Sequence, residues 1–449
     1  MQLGRAWRGA LRRAVMPLGD RLLGQRMMAR LRFLEQAQWW DRGRLLSERD
    51  RLLAELIAVS YREVPFYREL WDGHGIKPQD VRAASDLASL PLVTKDMLRA
   101  GYPSRTVRPT GRRTHEECSS GSTGRPFCVQ EDAYTAGWYR ASFMLALEWS
   151  GWRIGDPQLQ MGMTLQRSRG RRAKDLLLRC HYVSAYDLTD AALDAHLERI
   201  DRRGLRHVWG YPGAVYFLAR RAAQTGWDRE LDAVVTWGDT LFSHYRKTIE
   251  AAFHTRVFDT YGCAEGMQIS AQCGHSGLYH VHDLDVIVEY LDDDGDAVVS
   301  ADPGNLIVTR LHPGPMPLIR YRVGDVGVAG EPTCGCGRGF STMDSIRGRE
   351  TDVVMTPSGN RLIVHFFTGV LEHFPEIDTF QVMQDRPDSI VLRIVPGAGF
   401  DDRTGELAAT KLREKGADLT IEVEVVDEIP LTPAGKRRFV INRLHPSES

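Results

Sequence analysis

Ser119-Ser120-Gly121-Ser122-Thr123-Gly124-Arg125-Pro126-Phe127 is the stretch on which the reading of this chain turns. Four hydroxyl residues and two glycines fill its first six positions. Such a loop offers backbone N–H groups and hydroxyls that can converge on an anion. It lacks the G-x-x-x-x-G-K-[ST] spacing of a Walker A loop. Its flanks read as strands, Thr114–Cys118 before it and Phe127–Gln130 after it. A hydroxyl-rich loop between two strands points to another kind of ATP user. Taken alone, the same residues read equally well as a hairpin turn.

Further segments decide between the two. Tyr261-Gly262-Cys263-Ala264-Glu265-Gly266 follows the strand-like Arg256–Thr260, and Pro317-Leu318-Ile319-Arg320-Tyr321-Arg322-Val323-Gly324-Asp325 comes later. Arg347-Gly348-Arg349-Glu350-Thr351-Asp352 and Pro433-Ala434-Gly435-Lys436-Arg437-Arg438 complete the series. In order and spacing these resemble the core motifs of the adenylate-forming superfamily. More narrowly, Val64-Pro65-Phe66-Tyr67-Arg68 and Leu90-Pro91-Leu92-Val93-Thr94-Lys95-Asp96 resemble the phenylacetate-CoA ligase branch and its CapK-like relatives. The resemblance runs from about Leu34 to Asn442.

The resemblance implies an α/β fold: a large multi-layered N-terminal domain of adenylate-forming type and a small mobile α+β C-terminal domain. The expected divisions are a basic helical extension at 1–33, the large domain at 34–347 and the small one at 348–449. It also implies roles. Ser119, Ser120, Gly121, Ser122, Thr123 and Gly124 would cradle the phosphates of ATP. Glu265 would hold Mg²⁺, which prefers carboxylate and phosphate oxygens. Tyr261 and Gly262 would border adenine, Asp325 would accept both ribose hydroxyls, and Arg349 would reach the phosphate or ribose. Lys436 would bridge the carboxylate and the α-phosphate, a task suited to a compact charge on a long stem. The acid pocket would include Tyr211, Pro212, Gly213, Trp237, Gly238 and Asp239. Each motif also has a plainer reading: Arg320, Arg322 and Asp325 as a structural ion pair, and Lys436 within a solvated basic patch.

The sequence departs from the family pattern at Ala264, where a hydroxyl residue usually bonds phosphate, and at Thr351, where Asp is frequent. A second constellation, Cys273, His280, Cys334 and Cys336, resembles a structural zinc site of phenylacetate-CoA-ligase-like proteins. Three thiolates and an imidazole close a tetrahedral shell. His275 and His282 are rival ligands.

Composition bounds the rest. At 449 residues, 43% hydrophobic and 26% charged, the chain is an ordinary globular protein with room for two or three domains. Its net charge of −1 creates no field that would favour nucleic acid. No run of eighteen apolar residues occurs, and the cysteine pattern is not a secreted disulfide framework, so a cytoplasmic enzyme is expected. Residues 1–32 hold eight arginines against one acid, Asp20, with Leu3, Trp7, Leu11 and Val15 recurring every four positions. This segment reads as a helix docked on the main domain or as peripheral membrane contact on anionic lipid. Between Gln158 and Thr260 short apolar runs alternate with amphipathic ones, the rhythm of parallel βα units. Residues 279–330 read as antiparallel strands with a turn at Asp293-Asp294-Gly295, and the arginine cluster from Arg167 to Lys174 as a solvated, mobile loop.

The reading is an AMP-forming, carboxylate-activating ligase that uses ATP and Mg²⁺ and passes the acyl group to coenzyme A. An amine or sugar acceptor is the alternative. A catalytically weak nucleotide-binding scaffold in a polysaccharide complex is the competing class, supported by Ala264 and the basic N-terminus.

Overall fold

The computed structural model describes residues 2–119, 127–162, 167–185, 188–298, 302–349, 354–358, 361–362, 364–371, 373–430 and 438–444. The chain opens with α1 (Gln2–Ala10), a π turn at Leu11–Val15 and α2 (Met16–Leu23), then α3 (Met27–Ala37), α4 (Arg42–Glu63) and α5 (Pro65–Gly73). Leu45, Leu52, Leu53 and Leu56 of α4 are buried, as their spacing requires. Pro65 separates α4 from α5. It is the first residue of α5, where its missing N–H has no partner to lose. Helix α6 (Lys95–Gly101) precedes a hairpin of β1 (Thr114–Ser119) and β2 (Phe127–Asp132), the strands expected around the hydroxyl-rich loop. Cys128, opposite Cys118 in that ladder, is disulfide-bonded, which the cysteine pattern read as that of a cytoplasmic enzyme does not foresee. Helix α7 (Ala133–Trp149) follows, capped by the Asp132 carboxylate, which accepts from Thr135 N–H at 2.9 Å.

The alternating region then runs as β3 (Gln158–Gly162), α8 (Arg169–Leu177), β4 (Cys180–Ser184), α9 (Asp190–Arg203), β5 (His207–Gly210), α10 (Pro212–Thr225), β6 (Ala233–Thr236), α11 (Ser243–Phe253) and β7 (Val257–Cys263). The arginine cluster expected as a mobile loop is ordered. Ser168 caps α8, and Arg167 pairs with Asp175 and lies over the Tyr182 ring at 3.9 Å. Paired charges and a cap outweigh the repulsion that a run of arginines suggests.

Strands β8 (Met267–Gln272), β9 (Tyr279–Val281), β10 (Val286–Leu291), β11 (Pro303–Arg310), β12 (Tyr321–Ala329) and β13 (Thr342–Arg349) are antiparallel and continue the same sheet. Its order is β10-β11-β12-β13-β9-β8-β7-β6-β5-β3-β4, parallel from β7 to β4. The expected turn is present: Gly295, at φ +90°, donates to the Asp292 carbonyl.

From Val354 the chain forms β14 (Val354–Met355), β15 (Arg361–Leu362), α12 (Val364–Leu371), β16 (Ile377–Arg386), β17 (Ser389–Pro396), α13 (Asp402–Glu414), β18 (Thr420–Val425) and β19 (Val440–Asn442). The last pairs in parallel with β16 in the order β18-β17-β16-β19. This module rests on α10 and α11. Phe439 sits edge-on to Phe242 at 4.9 Å and against Phe380 at 5.3 Å, and Arg220 pairs with Asp378 at 3.4 Å.

Candidate active site

The site is built around the turn between β7 and β8. Cys263 pairs with Met267, leaving Ala264, Glu265 and Gly266 as a three-residue hairpin loop. Gly266 takes φ +76°, the left-handed position such loops require. A Cβ there would also stand 2.8 Å from the Glu131 carboxylate, which forms a buried ion pair with Arg310. The turn therefore projects Glu265 in one direction only. Its side chain is buried and accepts from the Tyr321 hydroxyl at 2.7 Å, while Lys95 Nζ approaches to 3.3 Å. Burial would raise the Glu265 carboxyl, but the Lys95 charge and the Tyr321 hydroxyl outweigh it and hold the group below the ordinary carboxylate range. Burial and the neighbouring carboxylate push the Tyr321 phenol up, so it remains a donor.

Lys95 and Tyr321 are the residues that sequence reasoning missed as participants. Both stood in quoted motifs without a role. Their meeting depends on a strand-like bridge: Val93 N–H donates to the Arg320 carbonyl and Arg322 N–H to the Val93 carbonyl, each at 2.9 Å. Thr94 then caps α6, accepting from Met97 N–H at 3.3 Å, which leaves Lys95 at the first helical position. A cation there opposes the helix dipole, and Glu265 supplies the compensating charge. The signal available in the sequence was a lysine immediately after a threonine N-cap.

Two of the expected nucleotide residues meet. Tyr261, at the end of β7, donates its hydroxyl to Asp325 at 2.7 Å, and Asp325 lies opposite Arg349 across β12 and β13. The plainer reading of Arg320 as a partner of Asp325 is corrected: Arg320 is in an ion pair, but with Glu289 at 3.0 Å. Gly262 is required by close approach, since a Cβ would fall 2.5 Å from the Met267 carbonyl. Ser120–Gly124 and Lys436 lie outside the described residues, as do the side chains of Ser119 and Arg349.

The expected acid-pocket residues lie at the carboxyl ends of β5 and β6, where open α/β sheets bind ligands. Trp237 N–H donates to the Gly210 carbonyl, and Gly238, at φ +79°, leaves no room for a Cβ beside the Tyr211 ring. Pro212 is buried as the first residue of α10, while the space above Gly213 is open. Asp239 accepts from Thr240 N–H at 2.8 Å. Trp237 meets Phe143 edge-on at 5.7 Å, and Phe143 stacks on Tyr139 one turn earlier in α7. An aromatic wall thus runs from the strand ends to α7.

Away from this cleft, Cys273, His280, Cys334 and Cys336 bring one ligand atom each within 4.8 Å of one another. Cys273 and Cys334 sulfurs are 3.8 Å apart, and Cys336 Sγ is 3.3 Å from His280 Nε2. A tetrahedron with bonds of about 2.3 Å has edges of about 3.8 Å, so the donor set fits a closed metal site. Burial opposes ionisation of the Cys273 thiol, yet hydrogen bonds from His280 and the Ser276 and His275 amides bring it down to about 5. The rivals fall outside the set. His282 is fully buried against Trp149, with burial pushing its pKa down to about 3, and His275 stands over Gly335.

A parallel sheet extended by antiparallel strands, a carboxylate turn at the switch between them and a small α+β module docked alongside define the adenylate-forming ligase fold. The C-terminal module, residues 354–443, matches the family model described as the CapK C-terminal domain. The chain is 25% identical over 332 residues to a phenylacetate-coenzyme A ligase of Thermus thermophilus, covering 70% of this chain and 72% of that protein. It is 22% identical over 393 residues to protein CapK of Staphylococcus aureus, covering 84% and 85%. The fold matches that of 2-hydroxyisobutyryl-CoA ligase in its postadenylation state with a TM-score of 0.73 at 18% identity, over 92% of each chain. The resemblance carried by the motifs therefore extends through most of the chain and to the fold itself.

Proposed function

We propose that this chain joins a carboxylic acid to AMP and transfers the acyl group to coenzyme A. The observation that carries the reading is convergence of Glu265, Tyr261 and Asp325 at the switch from parallel to antiparallel strands. A carboxylate resists attack until its oxygen becomes part of a good leaving group, and AMP supplies one. In this reading Glu265 holds Mg²⁺, which screens phosphate charge. The Tyr261–Asp325 pair borders the nucleoside, with Arg349 opposite. Lys95 supplies a cation beside Glu265 and offsets the hydroxyl that Ala264 lacks. The aromatic wall of Tyr139, Phe143 and Trp237 favours an acid with an apolar or aryl body. Cys273, His280, Cys334 and Cys336 hold zinc, which braces the loop before β13 and takes no part in the chemistry.

Lys436 completes the adenylating arrangement from the small domain, whose boundary we place at residues 347–352. Phe439, three residues on, anchors that end of the chain on Phe242. A second reading of the acceptor is an amine or a sugar hydroxyl in place of coenzyme A.

Pyrophosphate release over a panel of aryl and alkyl acids tests the first step, and acyl transfer to coenzyme A against amines and sugars tests the second. Lys436→Ala should abolish acyl-adenylate formation, a loss of at least about 3–4 kcal/mol of transition-state stabilisation. Transfer from supplied acyl-adenylate should persist. Equal loss of both half-reactions would remove Lys436 from this role.

A further inference from the structure

The N-terminal helix is docked with Arg8, Leu11 and Arg12 inward and an apolar strip outward. On the inner side Arg8 pairs with Asp156 at 2.9 Å, and Arg12 pairs with Glu35 and with Glu148. The one acid of residues 1–32, Asp20, is buried and accepts from the Met27 and Met28 amides at 2.7 and 2.9 Å. Leu11 is fully buried and would clash with a Cβ on Gly155, so the helix belongs to the body of the protein. The outer side carries Trp7, Ala10, Ala14, Val15, Leu18 and Leu22, all exposed. Leu18 is 62% exposed, Leu22 81% and the neighbouring Leu23 64%. Spacings of three and four residues put these side chains along one stripe. A helix lying on a water-soluble body has the opposite arrangement, apolar side inward and charges to solvent.

Charge identifies what the stripe faces. Arg13, Arg21 and Arg26 are exposed beside it and make no ion pair among the described residues. Asp156, Glu35 and Glu148 are engaged with Arg8 and Arg12. A second element repeats the pattern at the same end of the sheet. Helix α8 exposes Arg169, Arg171, Arg172 and, at its tip, Leu176. The carbonyl of Arg179, just past α8, accepts from Gln158 N–H, two residues from the Asp156 that holds Arg8.

We propose that α1, the π turn and α2 form an in-plane helix by which the folded protein lies on an anionic lipid surface. Trp7, Val15, Leu18 and Leu22 would enter the interface, with Arg13, Arg21 and Arg26 at the level of the headgroup phosphates. A convex rod offers a protein partner little to enclose, whereas lipid deforms around it. The arginines call for an anionic rather than a neutral surface.

The test is cosedimentation of the full chain with phosphatidylcholine vesicles, with and without about one-quarter phosphatidylserine. Binding is expected to the anionic vesicles only and to weaken with salt, and each positive charge removed in Arg13→Gln and Arg21→Gln should lower it roughly fivefold. Leu18→Glu/Leu22→Glu should lower binding by about tenfold or more. These side chains are solvent-exposed in the folded chain, so thermal stability and soluble adenylation should not change. Absence of binding by the unaltered protein, equal binding to neutral vesicles, or full binding by Leu18→Glu/Leu22→Glu would overturn the proposal. So would a dimer in solution that Leu18→Glu/Leu22→Glu dissociates without any lipid binding, since the stripe would then face a second copy.

Discussion

The Glu131–Arg310 pair supports the turn that carries Glu265, and removing one partner should show it. The two side chains are 5% and 4% exposed, one at the end of β2 and the other at the end of β11. Glu131 also packs against Gly266, where a Cβ would find its Oε1 at 2.8 Å. Arg310→Met leaves a buried carboxylate without its cation, which costs about 3–5 kcal/mol. With an unfolding entropy of about 2 cal/mol/K per residue, a chain of this length should lose roughly 4 °C of melting temperature for about 4 kcal/mol. Glu131→Leu/Arg310→Met removes both charges at similar volume and should recover most of that loss. Urea unfolding of the two single variants and the double gives the coupling directly. In the single variants, nucleotide affinity should also fall, because the turn loses its brace. A single-variant loss below about 1 kcal/mol, or a double variant as unstable as the sum of the singles, would refute the reasoning.

Lys95→Met should leave burial less opposed at Glu265, so its carboxyl rises and protonates as pH falls. Lys95 is 40% exposed and its charge helps hold the Glu265 carboxyl down, so the acid limb of Mg²⁺-dependent pyrophosphate release should move to higher pH; an unmoved acid limb would separate the two residues. Protein purified without chelator should carry about one zinc per chain, and Cys334→Ser should lose the metal and thermal stability while keeping residual catalysis. Metal analysis that finds no zinc in the unaltered protein ends that claim. Phe439→Ala should weaken docking of the C-terminal module by roughly 1.5–3 kcal/mol and slow adenylation tenfold or more, with transfer from supplied acyl-adenylate preserved. Stopped-flow measurement of the two half-reactions separates these effects.

Much of the architecture was legible because it is written in local pattern. The turn at Asp293-Asp294-Gly295 follows from its glycine, and the parallel region from strands alternating with amphipathic helices. Leu45, Leu52, Leu53 and Leu56 of α4 are buried as their spacing requires. Elements with weak periodicity were not legible. Strand β4 is only partly buried, β19 has three residues, and α8 holds no fully buried residue. Their existence depends on neighbours distant in sequence.

The sequence by itself determined the motif set, the order of the elements and the residue types available for each chemical task. Tertiary structure decided the partnerships. Only the bridge from Val93 to Tyr321 brings Lys95 to Glu265, and only packing against Trp149 removes His282 from the candidate metal ligands. The same holds at the N-terminus, where eight arginines and a four-residue apolar repeat left two readings open. Ion pairs to Asp156, Glu35 and Glu148 fixed which side of the helix turns inward. Periodicity records that a helix has two unlike faces. Which face meets the body depends on charges supplied by the body, and those lie more than a hundred residues away except for Glu35.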